Sequence, residues 1–509
     1  MAIRAIIALV LWEVVGRLGL VAGGALPAPS AIAIRFWADR GDYPMHVWAT
    51  MQGAGIGFLI GNLVAVLAGV LFAVSPVAAR LARGVNIAIF ALPAIAIAPI
   101  LTLMTTGMTP RVILAALGCY FVTMTATVTG ITQTDARMRD VVRAYGGGRM
   151  ASLRLVELRS AVPQILGALR IAAPAAVLGS ILAEFGGGGR FGLGAYLIGS
   201  LGRADPARLW GIGLAATLLA GIGYAVFAVI AQRMTASTVA VTVAATPPAG
   251  EVDGPVWQRI ALAAGSVLLP FALWWALIAA SGAPAMIAKT PMALLDYLML
   301  PNKAGERIWD ALAQTLPITA VGIALGLGFA FALALGSVLR PGIVRAFMPV
   351  ALVTQTMPLV ALTPLLVLIF GRGPSVILWI TVSVTFFPAF VTMAQGLQMV
   401  ARSALDVPRA YGASAWTVLR LVSIPASAPY VFAALRLAVP RALLGVMTAE
   451  WLATGTGLGN LLNQSRGYLD YGMIWTVAVL SVLLSVFFYQ VVVWIERRVL
   501  ARLGMTTAA

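Results

Sequence analysis

Residues 140–146, DVVRAYG, and residues 406–412, DVPRAYG, differ at one position and lie 412 − 146 = 266 residues apart. The same displacement aligns Gly130 with Gly396, Arg170 with Arg436, Pro174 with Pro440 and Glu184 with Glu450, inside the stretches ALRIAAPAAVLGSILAEF and ALRLAVPRALLGVMTAEW. A displacement of 358 − 93 = 265 aligns Pro93 and Pro99 with Pro358 and Pro364, and Trp210 with Trp475. So many spaced matches at one period mark an internal duplication, so the fold has to be read as two copies of one unit.

Composition says what kind of unit is duplicated. The chain has 509 residues, 61% of them apolar and 10% charged, with a mean hydropathy of +0.97, whereas soluble domains are roughly 45–50% apolar and about 25% charged. A single soluble core stops growing at about 250–300 residues and could not hide this excess. A bilayer core takes about 20 apolar residues per helix. Uninterrupted runs predict spans near 3–22, 49–73, 85–106, 111–131, 163–184 and 208–232, then near 259–281, 312–338, 346–370, 374–396, 428–449 and 473–495. The expected fold is therefore all-α and polytopic, with about twelve transmembrane helices. Residues 1–232 form a first half, the Thr-, Ala-, Pro- and Gly-rich segment 233–258 a cytoplasmic linker, and residues 259–509 a second half. The basic stretches around 135–160 and 401–425 must share one side of the membrane, so each half has an even number of spans. The two six-helix repeats are then parallel, related by an axis along the membrane normal, with a solute path expected between them.

The net charge of +17 does not indicate nucleic acid, because the cationic residues are scattered between apolar runs. Arginines such as Arg80, Arg83, Arg137, Arg143, Arg340, Arg402, Arg409 and Arg498 fall in alternate loops, and Asp39, Asp42, Asp296, Glu306, Asp310 and Asp470 in the others. The positive-inside rule then places both termini in the cytoplasm. The first apolar run reads as an uncleaved helix in which Glu13 and Arg17 pair one turn apart. Cys119 permits no intramolecular disulfide and reads as a small buried hydrophobe. His46 lacks any companion at metal-ligand spacing and reads as an interfacial polar residue. No metal site and no catalytic constellation is expected. The only lysines, Lys289 and Lys303, do not follow glycine, so no Walker A phosphate loop exists. The four glycines at 186–189 follow a membrane helix and read as a periplasmic turn.

The loop between the fourth and fifth helices of each half resembles the cytoplasmic EAA loop of ABC importer permeases. That pattern is Glu-Ala-Ala, three residues, Gly, nine residues, Ile, one residue, a hydrophobe and Pro. The second half supplies Asp406-Val407-Pro408, Gly412, Val422, Ile424 and Pro425; the first supplies Asp140-Val141-Val142, Gly146, Val156 and Leu158, with Arg159 in place of the proline. Asp140 and Asp406 are suited to cap a helix, and Gly146 and Gly412 to end it. The resemblance implies that residues 140–147 and 406–413 are coupling helices docking on a dimeric ATPase. Asp140, Arg143, Tyr145 and Gly146, with Asp406, Arg409, Tyr411, Gly412 and Pro425, would make the contact. ATP and Mg would be bound by that separate subunit, with no cofactor on this chain, and a solute-binding protein would deliver a small solute from outside a bacterial inner membrane. Trp12, Trp274 and Trp275 on the opening helices, LPAPS at 26–30, KTPM at 289–292 and Gly-Leu-Gly at 192–194 and 457–459 are similar to the nitrate/sulfonate/taurine type. Its cargo would be a small anion or a vitamin precursor.

Two further sets of candidates come from the membrane runs. Prolines 93 and 99, and prolines 358 and 364 with Thr354 and Gln355, interrupt the third helix of each half. Such breaks persist in a bilayer only against protein or a water-filled cavity, which makes these residues translocation-pathway candidates; kinked packing is the alternative. Glu184 and Glu450 end apolar helices, where a carboxylate needs water or a partner. They suit either a periplasmic gate or a carboxylate that holds the following loop. A major-facilitator-like secondary transporter would also have two parallel six-helix halves, but its acidic and arginine-rich loop signature is missing from VSPVAARLARG at 74–84.

Overall fold

A computed structural model describes residues 2–187, 189–203, 205–234, 255–301, 303–340, 342 and 359–505. The pathway candidates Thr354, Gln355 and Pro358 and most of the linker lie outside the described residues.

The first half runs as α1 (Ala2–Arg17), α2 (Pro29–Ala38), α3 (Tyr43–Val74), α4 (Pro76–Leu81), α5 (Arg83–Ala91), α6 (Ala94–Met104), α7 (Thr109–Thr132), α8 (Ala136–Ala144), α9 (Arg149–Ser152), a π-helical turn at Leu153–Glu157, α10 (Leu158–Phe185), α11 (Leu193–Leu201) and α12 (Pro206–Met234). The second continues as α13 (Val256–Ser281), α14 (Pro291–Met299), α15 (Ala304–Leu339), α16 (Leu359–Phe370), α17 (Pro374–Gln398), α18 (Arg402–Ala410), α19 (Ala415–Val418), a π-helical turn at Leu419–Ser423, α20 (Ile424–Ala426), α21 (Ala428–Ala449), a π-helical turn at Glu450–Thr454, α22 (Gly457–Gly467) and α23 (Tyr471–Arg502). No strand occurs among the described residues. Nine helices there are long and apolar enough to cross a membrane, ten if α5 and α6 count as one broken span. The twelve expected spans differ from this at two places. The first run makes a 16-residue helix that stops at Arg17, and the run at 346–370 is described only from Leu359.

Glu13 and Arg17 do pair, at 2.5 Å. Glu13 also accepts the backbone N–H of Ser30 at 3.0 Å and its hydroxyl at 2.5 Å, tying α1 to the start of α2.

The repeat is visible in how helices meet. Gly57 and Gly61 of α3 face α7 so closely that an added Cβ would stand 2.5 Å from the Ala115 Cβ and 2.6 Å from the Ala116 carbonyl oxygen. At a displacement of 265, Gly322 and Gly326 of α15 meet Thr381 and Thr385 of α17, at 2.5 and 2.0 Å. Small residues four apart let two backbones approach, and between lipid-solvated helices this packing replaces the hydrophobic drive available in water. The faces turned away carry Leu59, Leu63, Leu67 and Leu71 on α3 and Val267, Trp275 and Leu277 on α13, all exposed and apolar, as a surface solvated by acyl chains requires.

The chain forms two compact units, Met1–Phe90 with Ile97–Met299, and Ala91–Ala96 with Leu300–Ala509. The sequence boundary at 259 is therefore not the packing boundary, because α13 belongs with the first unit. It lies on α4, where the Gly84 N–H donates to the Ser266 hydroxyl at 2.9 Å and Gly265 abuts Leu81.

In the first unit Arg208 grips Asp39 through two bonds, at 2.7 and 2.5 Å, with Arg35 3.1 Å from the same carboxylate. The Arg208 hydrogen bond is the main cause of a depressed Asp39 pKa. Its folded pKa lies below the unfolded value of about 3.9, so its stabilisation is complete above that pH and is lost as the pH falls below it. Thermal melting should show no pH-dependent change from this pair between pH 7 and 5, where its stabilisation is fully present, and a falling midpoint below about pH 4. The Asp39→Asn variant should lose that part of the acid limb.

Candidate functional site

The two loops bearing the duplicated motif fold alike. α8 and α18 are nine-residue helices, each ended by a glycine in the left-handed region, Gly146 and Gly412, both at φ 76°. The glycines do what was expected of them, and the aspartates do not. The side chain that caps α8 is Asp135, accepting from the Arg137 N–H at 2.9 Å, and Ala401 precedes α18 without any side-chain cap. Asp140 and Asp406 lie inside their helices and pair with Arg143 and Arg409 three residues on, at 3.3 and 3.4 Å. Each lies four residues past the start of its helix, beyond the first-turn amides that a cap would satisfy.

Tyr145 and Tyr411 close the two helices at 90% and 88% exposure, beside exposed Val141 and Val407. An aromatic ring thus stands almost fully exposed at matching places in the two copies. After each helix come a short α turn and a π-helical turn, Leu153–Glu157 and Leu419–Ser423, again 266 residues apart. From there the copies diverge. Pro425 sits in a three-residue helix followed by a break at Ser427, whereas Arg159 lies in an uninterrupted α10.

Of the pathway candidates, Pro93 stands at the break where α5 and α6 meet at 97°, Pro99 lies inside α6, and Pro364 lies inside α16. The nearby hydroxyls are engaged by backbone. Thr102 donates to the Pro99 and Gly186 carbonyls, at 2.9 and 2.8 Å, so the broken helix is moored to the end of α10.

Glu184 and Glu450 are both buried, and each holds the loop that follows it. Glu184 accepts the Thr50 hydroxyl at 2.8 Å and the Gly194 N–H at 2.7 Å, while the Thr50 oxygen accepts the Leu193 N–H at 2.8 Å. Glu450 accepts the Thr315 hydroxyl at 2.7 Å and the Gly459 N–H at 2.9 Å, while Thr315 accepts from Leu458 at 2.9 Å. Glu, Thr and Gly-Leu-Gly thus make one clasp, built twice. The glycines are required because a Cβ on Gly192 or Gly457 would fall 2.2 Å from the Glu184 carboxyl carbon or 2.0 Å from a Glu450 oxygen. Sequence reasoning flagged the acids and both Gly-Leu-Gly runs but missed Thr50 and Thr315, which the displacement 315 − 50 = 265 would have paired. It also missed Arg111, whose guanidinium lies 3.8 Å from Glu184 and donates to the Phe191 carbonyl. The second copy has Val376 at the matching position, so only the first clasp carries an ion pair. His46, on α3, stacks on Tyr196 at 4.5 Å and contacts the Gly192 backbone, a loop-holding role rather than a merely interfacial one. No cluster able to hold a metal occurs among the described residues.

Comparison with known proteins follows the same division. The family described as binding-protein-dependent transport system inner membrane component matches the chain twice, over residues 61–238 and 322–501. The riboflavin transport system permease protein RibX of Chloroflexus aurantiacus is 28% identical over 241 residues, 89% of its length but 47% of this chain. The formylaminopyrimidine transport permease protein ThiX of Halalkalibacterium halodurans is 31% identical over 176 residues, 70% of its length and 34% of this chain. The aliphatic sulfonates transport permease protein SsuC of Escherichia coli is 26% identical over 131 residues, 50% of its length and 26% of this chain. RibX, with most of its own length, accounts for less than half of this one.

Proposed function

Because the chain belongs to the binding-protein-dependent transport system inner membrane component family, with two copies of the family unit in one polypeptide, we propose that a separate ATPase drives it by pulling on α8 and α18. It is a multi-pass ABC importer permease, and the major-facilitator alternative falls with that membership. The reading of the loops rests on one observation above the others. Two short helices at matching positions of the duplication each leave a tyrosine almost fully in water beside an apolar side chain and a paired arginine. Such a tip supplies the aromatic anchor and the arginine that dominate protein–protein interfaces.

On this reading residues 1–232 and 259–509 are the two permease halves, both termini are cytoplasmic, and the Glu184 and Glu450 clasps stand at the outer surface. A binding protein presents the solute there. ATP and Mg act on the partner ATPase dimer, and the halves alternate between outward and inward access. The relatives point to a small organic solute, an alkanesulfonate, riboflavin or a formylaminopyrimidine. Reconstitution of the chain with its ATPase and binding protein should give ATP-dependent uptake of one of these three classes. A chain that takes up solute alone, driven by a proton gradient, would contradict the proposal.

A further inference from the structure

One arginine of the second unit lies in the middle of a membrane-length helix with no acid paired to it among the described residues. Arg441 lies on α21, within the continuous apolar stretch Ala428–Thr454, 441 − 428 = 13 residues from one end and 454 − 441 = 13 from the other. It is half-buried, like Leu444 one turn on, whereas Ala442 and Leu443 beside it are buried.

The other buried or half-buried arginines of the long helices have partners. Arg111 meets Glu184, Arg170 donates to the Tyr224 hydroxyl at 2.9 Å, Arg208 holds Asp39, and Arg436 pairs with Glu496 at 3.2 Å. Arg441 has neither an ion pair nor a hydrogen bond among the described residues. The six acids of residues 300–509 are Glu306, Asp310, Asp406, Glu450, Asp470 and Glu496. Glu306 and Asp310 are exposed, Asp406 pairs with Arg409, Glu450 is held in its clasp, Asp470 lies 3.5 Å from Arg307, and Glu496 faces Arg436. Residues 343–358 contain no Asp or Glu, so that stretch brings no countercharge either. Nor does the fold demand a cation here, since the matching residue of the first copy, 441 − 266 = 175, is Ala175, half-buried on the same face of α10.

A guanidinium at the centre of a membrane helix is expensive, and it persists where it faces a water-filled cavity and serves a solute. The geometry points to Arg441 as an anion-binding residue within the membrane, taking a small oxyanion such as a sulfonate. The planar guanidinium matches two oxygens of such a group at once. Placing this site on the transport route rests on the permease reading above. It sets the cargo class as anionic and selects the sulfonate from the three classes named there.

The direct test is equilibrium binding of radiolabelled ethanesulfonate to the full chain in phosphatidylcholine nanodiscs, with riboflavin as the neutral probe. Wild type should bind ethanesulfonate saturably. Arg441→Ala should bind it about tenfold or more weakly, the loss of one charge-assisted contact. Arg441→Lys should recover most of the affinity, and none of the three should bind riboflavin at this site. The alanine copies Ala175, so the helix has a precedent for it, and unchanged thermal unfolding checks that it folds. Absence of saturable ethanesulfonate binding to wild type, or equal binding by Arg441→Ala, overturns the inference. The measurement needs no ATPase, so if binding behaves as stated while ATP-driven uptake fails, the partner reading falls and the site stands.

Discussion

Replacing Glu450 with alanine should lower the stability of the purified chain by about 2–5 kcal/mol, because it strands two buried donors at once. The Thr315 hydroxyl and the Gly459 N–H both end on this carboxylate, in a residue that is 1% exposed. Glu184→Ala should do more damage. It strands the Thr50 hydroxyl and the Gly194 N–H in the same way and also leaves the Arg111 guanidinium without its carboxylate. Glu450→Gln keeps one acceptor and should fall between wild type and alanine. Thermal unfolding in detergent measures the order, and protease sensitivity of the loops at 192–194 and 457–459 locates it. Equal melting of all four proteins would show that the clasps hold nothing.

The second large effect is on coupling. Changing Tyr145 and Tyr411 to alanine together should reduce ATP-driven uptake by roughly 100-fold, since a central aromatic anchor is worth about 2–4 kcal/mol at an interface. The melting temperature should stay where it was, because both rings are almost entirely in solvent and support nothing in the isolated chain. Loss of transport without loss of stability is the signature of a docking surface. A variant that melts early, or that transports as before, would assign the tyrosines to the fold or to nothing.

These two effects separate what the amino-acid order makes legible from what it hides. The membrane character, the duplication and the helical end signals are local, and they could be read from hydropathy, a 266-residue offset and a glycine after a short amphipathic run. The break at Pro93 was legible for the same reason, since proline removes a donor from its own helix. The partners of Glu184 and Glu450 were not, because Thr50 and Thr315 lie more than 130 residues away along the chain. A threonine in an apolar run carries no mark of the bond it will make. The capping role assigned to Asp140 and Asp406 failed because the helices begin four residues earlier, at Ala136 and Arg402, which leaves these carboxylates no free amide. The small-residue seams on α3 and α15 were in view as glycines but have meaning only once the facing helix is known. Arg441 stood in the aligned stretch from the start, opposite Ala175. Its lack of a countercharge became visible only when every acid of its unit had been placed.

The central claim is that two matched cytoplasmic levers carry the work of a separate motor into the membrane. Its most direct test uses a chain in which Cys119, the sole cysteine, is replaced by serine and single cysteines are set at positions 145 and 411. The account predicts that each cysteine crosslinks to a co-purified nucleotide-hydrolysing subunit, and that linking either one stops ATP-driven uptake. If neither position reaches such a subunit while uptake proceeds, the levers are ordinary loops and the account is wrong.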